Sequence, residues 1–328
     1  MNKIFKCLLS LVIAAGSVSH AEVPKEPAGA VAKPYVIYLD WFLNPHHAPL
    51  VIGLKKGFFK EHGLDVELVS AGGSEEGSKQ VSAGKGNLAV SKQSAHVVRI
   101  VNQQLSIVRV ATIIDRPLEC LITSEDCPDI KSLKGKRIGF TSSSIEFSTL
   151  AIATILEHNG LKLDDVTLVP IITGMPAALL SGQVDAIFSA YRTYELEDIH
   201  LHKFKTNVFY YENNGIPPFE QVILVAHKDK LDQPELKQFL VALKQSTEFI
   251  KQNPEEAWKI YAAHAPEQDT DLNHKVFLKV SELLQAAPEK LDRARYEKFA
   301  AFLEKSAILK EKVPAVDTYA KEISLNNG

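Results

Sequence analysis

The stretch RIGFTSSSIEFSTLAIATILEHNGLKLDDVTLVPIITGMPAALLSGQVDAIF, residues 137–188, decides the fold, because its pattern already occurs about 100 residues earlier in the chain. Arg137-Ile138-Gly139-Phe140 reads as a strand, and a helix follows from about Ile145 to His158, ended by Gly160-Leu161. Val166-Thr167-Leu168-Val169 is the next strand. A short helix around Pro176 to Leu180 is stopped by Gly182, and Asp185-Ala186-Ile187-Phe188 is the third strand. The earlier copy has a strand at Tyr35-Val36-Ile37-Tyr38-Leu39 and a helix from about His47 to His62 with Gly63 at its cap. Val66 to Val69 follows as a strand, then a helix from about Glu76 to Ala83 stopped by Gly84, and the strand Leu88-Ala89-Val90. Two βαβαβ units of one design predict two doubly wound α/β lobes with largely parallel sheets and right-handed connections. Open α/β sheets bind ligands outside the carboxyl ends of their strands. Two such lobes facing each other share one ligand cleft and close on it by a hinge.

Working outward, residues 35–118 and 226–328 are expected to form lobe one and residues 119–225 lobe two. The crossovers near Pro117–Leu121 and Ile223–Ala226 would be the hinge. Leu236, Phe239, Leu240 and Leu243 recur at helical spacing as one buried face. Asn253-Pro254-Glu255-Glu256 starts a further helix, and the helical last third is expected to pack on lobe one. Residues 22–34 read as a Pro/Ala tether. Before them, Lys3 and Lys6 precede the apolar run Cys7 to Ala15, and Ser19-His20-Ala21 offers small residues at the cleavage-determining positions. Residues 1–21 therefore read as a secretory signal peptide, which implies a periplasmic or otherwise exported protein. Cys120 and Cys127 leave two readings open, a short-loop disulfide or two unpaired thiols.

Composition narrows the function. The 328 residues are 45% hydrophobic and 23% charged, with a net charge of −3. That excludes disorder as the dominant state and gives no basic footprint for nucleic acid. No glycine-rich phosphate loop is present, and two cysteines without nearby histidines give no metal site. The composition points to a small-molecule ligand or a protein partner.

The segment Leu39-Asp40-Trp41-Phe42-Leu43-Asn44-Pro45-His46-His47, followed by GLKKGFFKEHGLDVEL at residues 53–68, is highly specific. It resembles the periplasmic and lipoprotein components of ABC importers that bind thiamine-pyrimidine precursors, and the related fungal thiamine pyrimidine synthases. Leu133 to Gly139, Leu180 to Ala186 and Gly215-Ile216-Pro217 extend the match over about residues 35 to 265. The resemblance implies a type II periplasmic-binding-protein fold, consistent with the duplicated lobes. It implies an exported solute-binding protein, not an enzyme, that acts as a monomer with an ABC permease in the membrane and needs no cofactor.

An aminopyrimidine is flat and apolar on its faces, with donors and acceptors along its edge. Its site needs an aromatic platform, worth about 0.5–1.5 kcal/mol beyond area burial, and a few placed polar groups. Trp41 ends the first strand of one lobe and Tyr191 ends the matching strand of the other, so together they would grip a ring. Asn44 and His47 match the family's Asn and His and offer edge hydrogen bonds; His46 carries no such implication. Glu195 aligns with an acid the family turns toward the amino edge, where a carboxylate makes a charge-assisted pair. Ser142 and Ser143, between a strand and a helix, suit an anion or carbonyl oxygen, or simply cap the helix. Phe219 would add an apolar wall, or pack in the core.

Two departures from the family open other readings. Arg192-Thr193 replaces an aromatic and an amide, and Lys92 stands where importer components carry Tyr. An ammonium at the cleft would favour an acidic or phosphorylated ligand, such as a sulfonate or nitrate-like anion. Lys92 and His96 also reproduce the spacing at which the synthases hold pyridoxal phosphate as a Schiff base and supply a histidine as substrate. Registered on the preceding strand, however, the family's lysine falls on Ser91, and the cysteine-rich segment of the synthases is absent.

Overall fold

The computed structural model describes residues 33–141 and 145–325. The leader read at residues 1–21, most of the tether, and Ser142 and Ser143 lie outside the described residues. The strands are β1 (Tyr35–Leu39), β2 (Val66–Ser70), β3 (Leu88–Ser91), β4 (Ile107–Ile114), β5 (Glu119–Ser124), β6 (Arg137–Phe140), β7 (Thr167–Pro170), β8 (Ala186–Tyr191), β9 (Thr206–Tyr210) and β10 (Val222–His227). They form two five-stranded sheets, ordered β2-β1-β3-β10-β4 and β7-β6-β8-β5-β9. In each, three strands pair in parallel, as the repeat predicts, and the fourth runs antiparallel to both neighbours. Each reversed strand is the first one after a crossover: β5 follows β4 into the second sheet, and β10 follows β9 back into the first. The sheets are therefore mixed because each contains a strand delivered by the other half of the chain. β10 is a central strand paired on both edges, so the second crossover lies N-terminal to it, in residues 211–221, and not at Ile223–Ala226.

Both faces of the sheets are covered, which explains the unbroken apolar run of β10. Val222, Leu224 and Ala226 face one core and Ile223 and Val225 the other. The helices of the first half are α1 (Ala48–Lys55), α2 (Phe58–Glu61), α3 (Ser74–Ser82) and α4 (Gln93–Gln103). The single helix expected from His47 to His62 is divided because Gly57 adopts a left-handed conformation (φ 82°) between α1 and α2. The second half has α5 (Ile145–His158), α6 (Met175–Leu180) and α7 (Glu195–Leu201), and the last third α8 (Pro234–Gln252), α9 (Pro254–His264), α10 (Asp271–Leu283) and α11 (Arg293–Glu304). Leu236, Phe239, Leu240 and Leu243 of α8 are buried as their spacing requires, against α1 and the first sheet. α11 differs. Its Phe299 ring lies 5.9 Å from Phe147 and 5.2 Å from Phe219, in the core of the second sheet, so the helical third does not pack on the first sheet alone. Cys120 and Cys127 are buried free thiols. No helix among the described residues is long and apolar enough to cross a membrane.

Where the chain passes between the sheets, the fully buried Arg109 of β4 gathers the surrounding segments. Its Nε donates to Thr112 Oγ1 (3.1 Å) and Glu220 Oε2 (3.3 Å), and its Nη atoms donate to the carbonyls of Glu289, Lys290 and Lys321. Tyr296 Oη of α11 donates to the same Glu220 oxygen at 2.7 Å. Removing one partner of a buried ion pair leaves the other charge uncompensated, at a cost of about 3–5 kcal/mol. Arg109→Met should show that loss in urea unfolding, and Arg109→Met/Glu220→Gln should be distinctly more stable than the single variant. A double variant no better than the single one contradicts this reading of the crossing.

Candidate functional site

The carboxyl ends of β1, β3 and β8 carry Asp40-Trp41, Lys92 and Tyr191, and a linked set of side chains meets there. Trp41 is 52% exposed and Phe42 65%, so Trp41 is not a core residue. The loop after them is built by Asn44. Its Oδ1 accepts from His46 N–H (3.0 Å) and His46 Nδ1–H (2.9 Å), and its Nδ2 donates to Phe42 O (2.9 Å). His47 is buried. Its Nε2–H donates to Asp40 Oδ1 at 2.7 Å, and Nδ1 accepts from Asn44 N–H at 3.4 Å. Burial would raise the Asp40 pKa, but the His47 hydrogen bond and the nearby Lys92 ammonium outweigh it and hold the carboxyl below its usual range. Asn44 and His47 thus correct the expectation of free edges for a ligand, since their polar atoms are engaged in shaping the Trp41 loop.

His46, which carried no sequence signal, spans from that loop to the second sheet. With Nδ1–H committed to Asn44, Nε2 accepts from Thr193 Oγ1 at 2.9 Å, and the ring meets Tyr191 edge-on at 5.4 Å. Burial pushes its pKa down to about 3, so the ring is neutral.

Lys92 is 19% exposed and its Nζ lies 2.7 Å from Glu119 Oε1, whose side chain is 7% exposed. The ammonium also sits 5.3 Å over the Tyr191 ring. Burial alone would lower the lysine pKa, but the charges and hydrogen bonds of Glu119 and Tyr191 raise it well above its ordinary value. Tyr191 Oη accepts from Gln221 Nε2 (3.1 Å), and Gln221 Oε1 accepts from Leu118 N–H (2.8 Å), tying the ring to both crossovers. Glu195 opens α7 and its Oε2 accepts the Tyr191 backbone N–H at 2.7 Å. Burial raises its pKa. Ser189, inside β8, has φ 62° where the register with β5 slips between Cys120 and Ile122. A bulge of this kind re-aims the residues beyond it, here Tyr191.

Neither Phe219 nor His96 reaches this cluster, and Arg192 is already paired. Phe219 is fully buried between Phe147 and Phe299, so it belongs to the core and not to a cleft wall. Arg192 is held by both oxygens of Glu212 at 2.9 Å and lies over the Tyr210 ring. His96 is fully buried, and its Nε2–H donates to Tyr319 O at 2.7 Å, so Lys92 and His96 are engaged by different partners. Asp40, Glu119, Thr193 and His46 are the members that the sequence reading missed. Asp40 lay inside the highly specific Leu39–His47 segment and Thr193 stood out only as a departure from the family, whereas Glu119 gave no local pattern. Among the described residues the cations here are paired, and carboxylates outnumber them.

A family model described as NMT1/THI5 like matches residues 44–257. A putative thiamine biosynthesis protein of Haemophilus influenzae is 34% identical over 88% of this chain and 91% of its own length. The 4-amino-5-hydroxymethyl-2-methylpyrimidine phosphate synthase THI13 of Saccharomyces cerevisiae is 25% identical over 73% of each chain. A formylaminopyrimidine-binding protein of Halalkalibacterium halodurans is 23% identical over 84% of this chain and 82% of its own. Among solved structures, a Candida albicans protein described as exhibiting the generic periplasmic binding protein structural fold superposes with a TM-score of 0.67 at 19% identity, covering 89% of this chain and 97% of that one. The periplasmic aliphatic sulphonate binding protein SsuA of Escherichia coli gives 0.67 at 14% identity, covering 90% and 94%. The two-lobed α/β architecture is that periplasmic-binding-protein fold.

The buried histidines give the molecule an acid limit. His96 is pushed down to about 4 by burial and His46 to about 3, whereas unfolded histidine titrates near 6.5. Between pH 6.5 and about 4 the unfolded chain binds more protons, so stability is full above that window and falls as pH drops. The slope is up to about 1.4 kcal/mol per pH unit for each histidine. Urea unfolding across this range measures it, and His46→Gln should remove about one proton from the slope. A flat wild-type profile contradicts the assignment.

Proposed function

The chain belongs to the NMT1/THI5-like family, and on that premise we propose that it is an exported solute-binding protein of an ABC importer that takes a thiamine-pyrimidine precursor. The ligand is formylaminopyrimidine or a hydroxymethylpyrimidine-like compound. Residues 35–118 and 222–328 form one lobe and residues 119–221 the other, with α11 packed against the latter. Closure brings Trp41 and Tyr191 onto the faces of the ring, with Glu195 and the Lys92–Glu119 pair at its edge. Asn44 and His47 hold the Trp41 loop in place. The protein acts without chemistry, as a monomer, and presents its closed form to a membrane permease.

The observation that carries this reading is the charge arrangement. Lys92 and Arg192, the cations that would attract a sulfonate or phosphate, are each occupied by a carboxylate, and Asp40 and Glu195 add negative charge. Such a site favours a neutral or protonated ring rich in N–H donors over an anion. The yeast relatives named as synthases raise the enzyme alternative. A Schiff-base lysine needs an accessible neutral amine. Glu119 keeps Lys92 protonated, and His96 is buried away on Tyr319, so these residues do not fit that role.

Tryptophan fluorescence tests the proposal. Trp41 is exposed, whereas Trp258 is buried on α9 and stacked on Tyr261 and His274, so a ligand in the cleft perturbs Trp41. Titration with 4-amino-5-hydroxymethyl-2-methylpyrimidine or formylaminopyrimidine should give a saturable blue shift, and an alkanesulfonate none. Trp41→Ala should abolish the signal and, by calorimetry, weaken binding roughly 10-fold. A response to the sulfonate alone overturns the ligand.

A further inference from the structure

Glu119 begins β5 directly after the first crossover, and its backbone is paired in register with Tyr191 of β8. Cross-strand partners point their side chains to one face, so the carboxylate and the Tyr191 ring stand side by side. Lys92 reaches both, with its Nζ 2.7 Å from Glu119 Oε1 and 5.3 Å from the Tyr191 ring centre. The other carboxylate oxygen, Oε2, is buried and has no hydrogen-bond partner among the described residues. A buried acceptor on a charged group is costly to leave unmade, and an unsatisfied one calls for a specific explanation. Beside an aromatic platform at the cleft, the simplest explanation is a donor that arrives with the ligand.

We propose that Glu119 is a specificity-determining residue that accepts an N–H from the amino edge of the bound ring through Oε2, with Lys92 as the positioning residue that holds the carboxylate by Oε1. This deepens the ligand reading above and rests on it. With Oε1 committed to the ammonium, the carboxylate presents a single acceptor in a fixed direction. An exocyclic amine satisfies it. A carbonyl in the same place sets oxygen against oxygen, which is rejection built into the site. The pair therefore reads amino against oxo at one ring position, a task that a ring-stacking platform cannot perform, because both compounds have the same faces and nearly the same shape. Lys92 then has a role that needs neither an anionic ligand nor a covalent adduct.

The test compares 4-amino-5-hydroxymethyl-2-methylpyrimidine with its 4-oxo analogue, by calorimetry, on wild type, Glu119→Gln and Lys92→Gln/Glu119→Gln. Wild type should prefer the amino compound by roughly 100-fold or more. Glu119→Gln should weaken the amino compound roughly 10- to 100-fold and bind the oxo compound better than wild type does, because the new amide can donate to a carbonyl. The double variant removes both charges together, so it keeps the test valid if the lone ammonium prevents Glu119→Gln from folding, and it should show the same narrowing of preference. A purely structural Glu119 would weaken both compounds in proportion and leave their ratio unchanged, and that result overturns the inference alone. A wild type that binds neither pyrimidine overturns the ligand reading and this inference with it.

Discussion

A guanidinium with no access to solvent sets the terms for the rest of the molecule. Arg109 can be buried only if every segment that answers it is in place, and those segments come from β4, the crossover before β10, the stretch before α11 and the C-terminal residues. Its backbone is bound as well, with Arg109 N–H donating to Tyr319 O and its carbonyl accepting from Lys321 N–H. From Arg109 the constraint runs directly to the site. Glu220, its carboxylate partner, exchanges backbone and side-chain hydrogen bonds with Gln93, the first residue of α4. Gln93 follows Lys92, so the position from which the ammonium reaches Glu119 is fixed by the buried pair behind it. Gln221, next to Glu220, holds Tyr191 Oη and the Leu118 backbone. The charge that closes the crossing also orients the groups at the cleft.

The same geometry underlies the proposed preference for an amine-bearing ring beside Lys92 and Arg192. Cations attract anions only while they are free, and here each has a carboxylate at hydrogen-bonding distance. What remains available to a ligand is an exposed aromatic at Trp41, the ring of Tyr191 and acceptor oxygens. One fold can host different ligands because binding is decided by a few side chains at the site and not by the architecture.

Much of the fold was legible in the sequence because it depends on local rules. Glycines at 63, 84, 160 and 182 stop helices where left-handed backbone is required, and the repeated strand–helix order sets the parallel core of each sheet. The reversed strands β5 and β10 were not legible, because their direction depends on which sheet the chain enters after each crossover. Neither was the seat of α11, which is decided by Phe299 meeting Phe147 and Phe219 from remote segments. At the candidate site, Lys92 stood out as a departure from the family, and the places of Trp41 and Tyr191 at strand ends were legible. Glu119 was not, since its meaning comes from Lys92, 27 residues away, and from the register that places it beside Tyr191. Asn44 and His47 were read as ligand contacts because polar loop residues look alike in sequence, whether they are free or bonded within their own loop.

The most direct measurement of the central claim is a crystal structure of the protein with formylaminopyrimidine bound. The account places the ring against Trp41 and Tyr191, with its amino edge on the carboxylates of Glu119 and Glu195 and the lobes closed around it. A pyrimidine bound elsewhere, or density in the cleft only for an anion on Lys92 with the Glu119 pair broken, would contradict it.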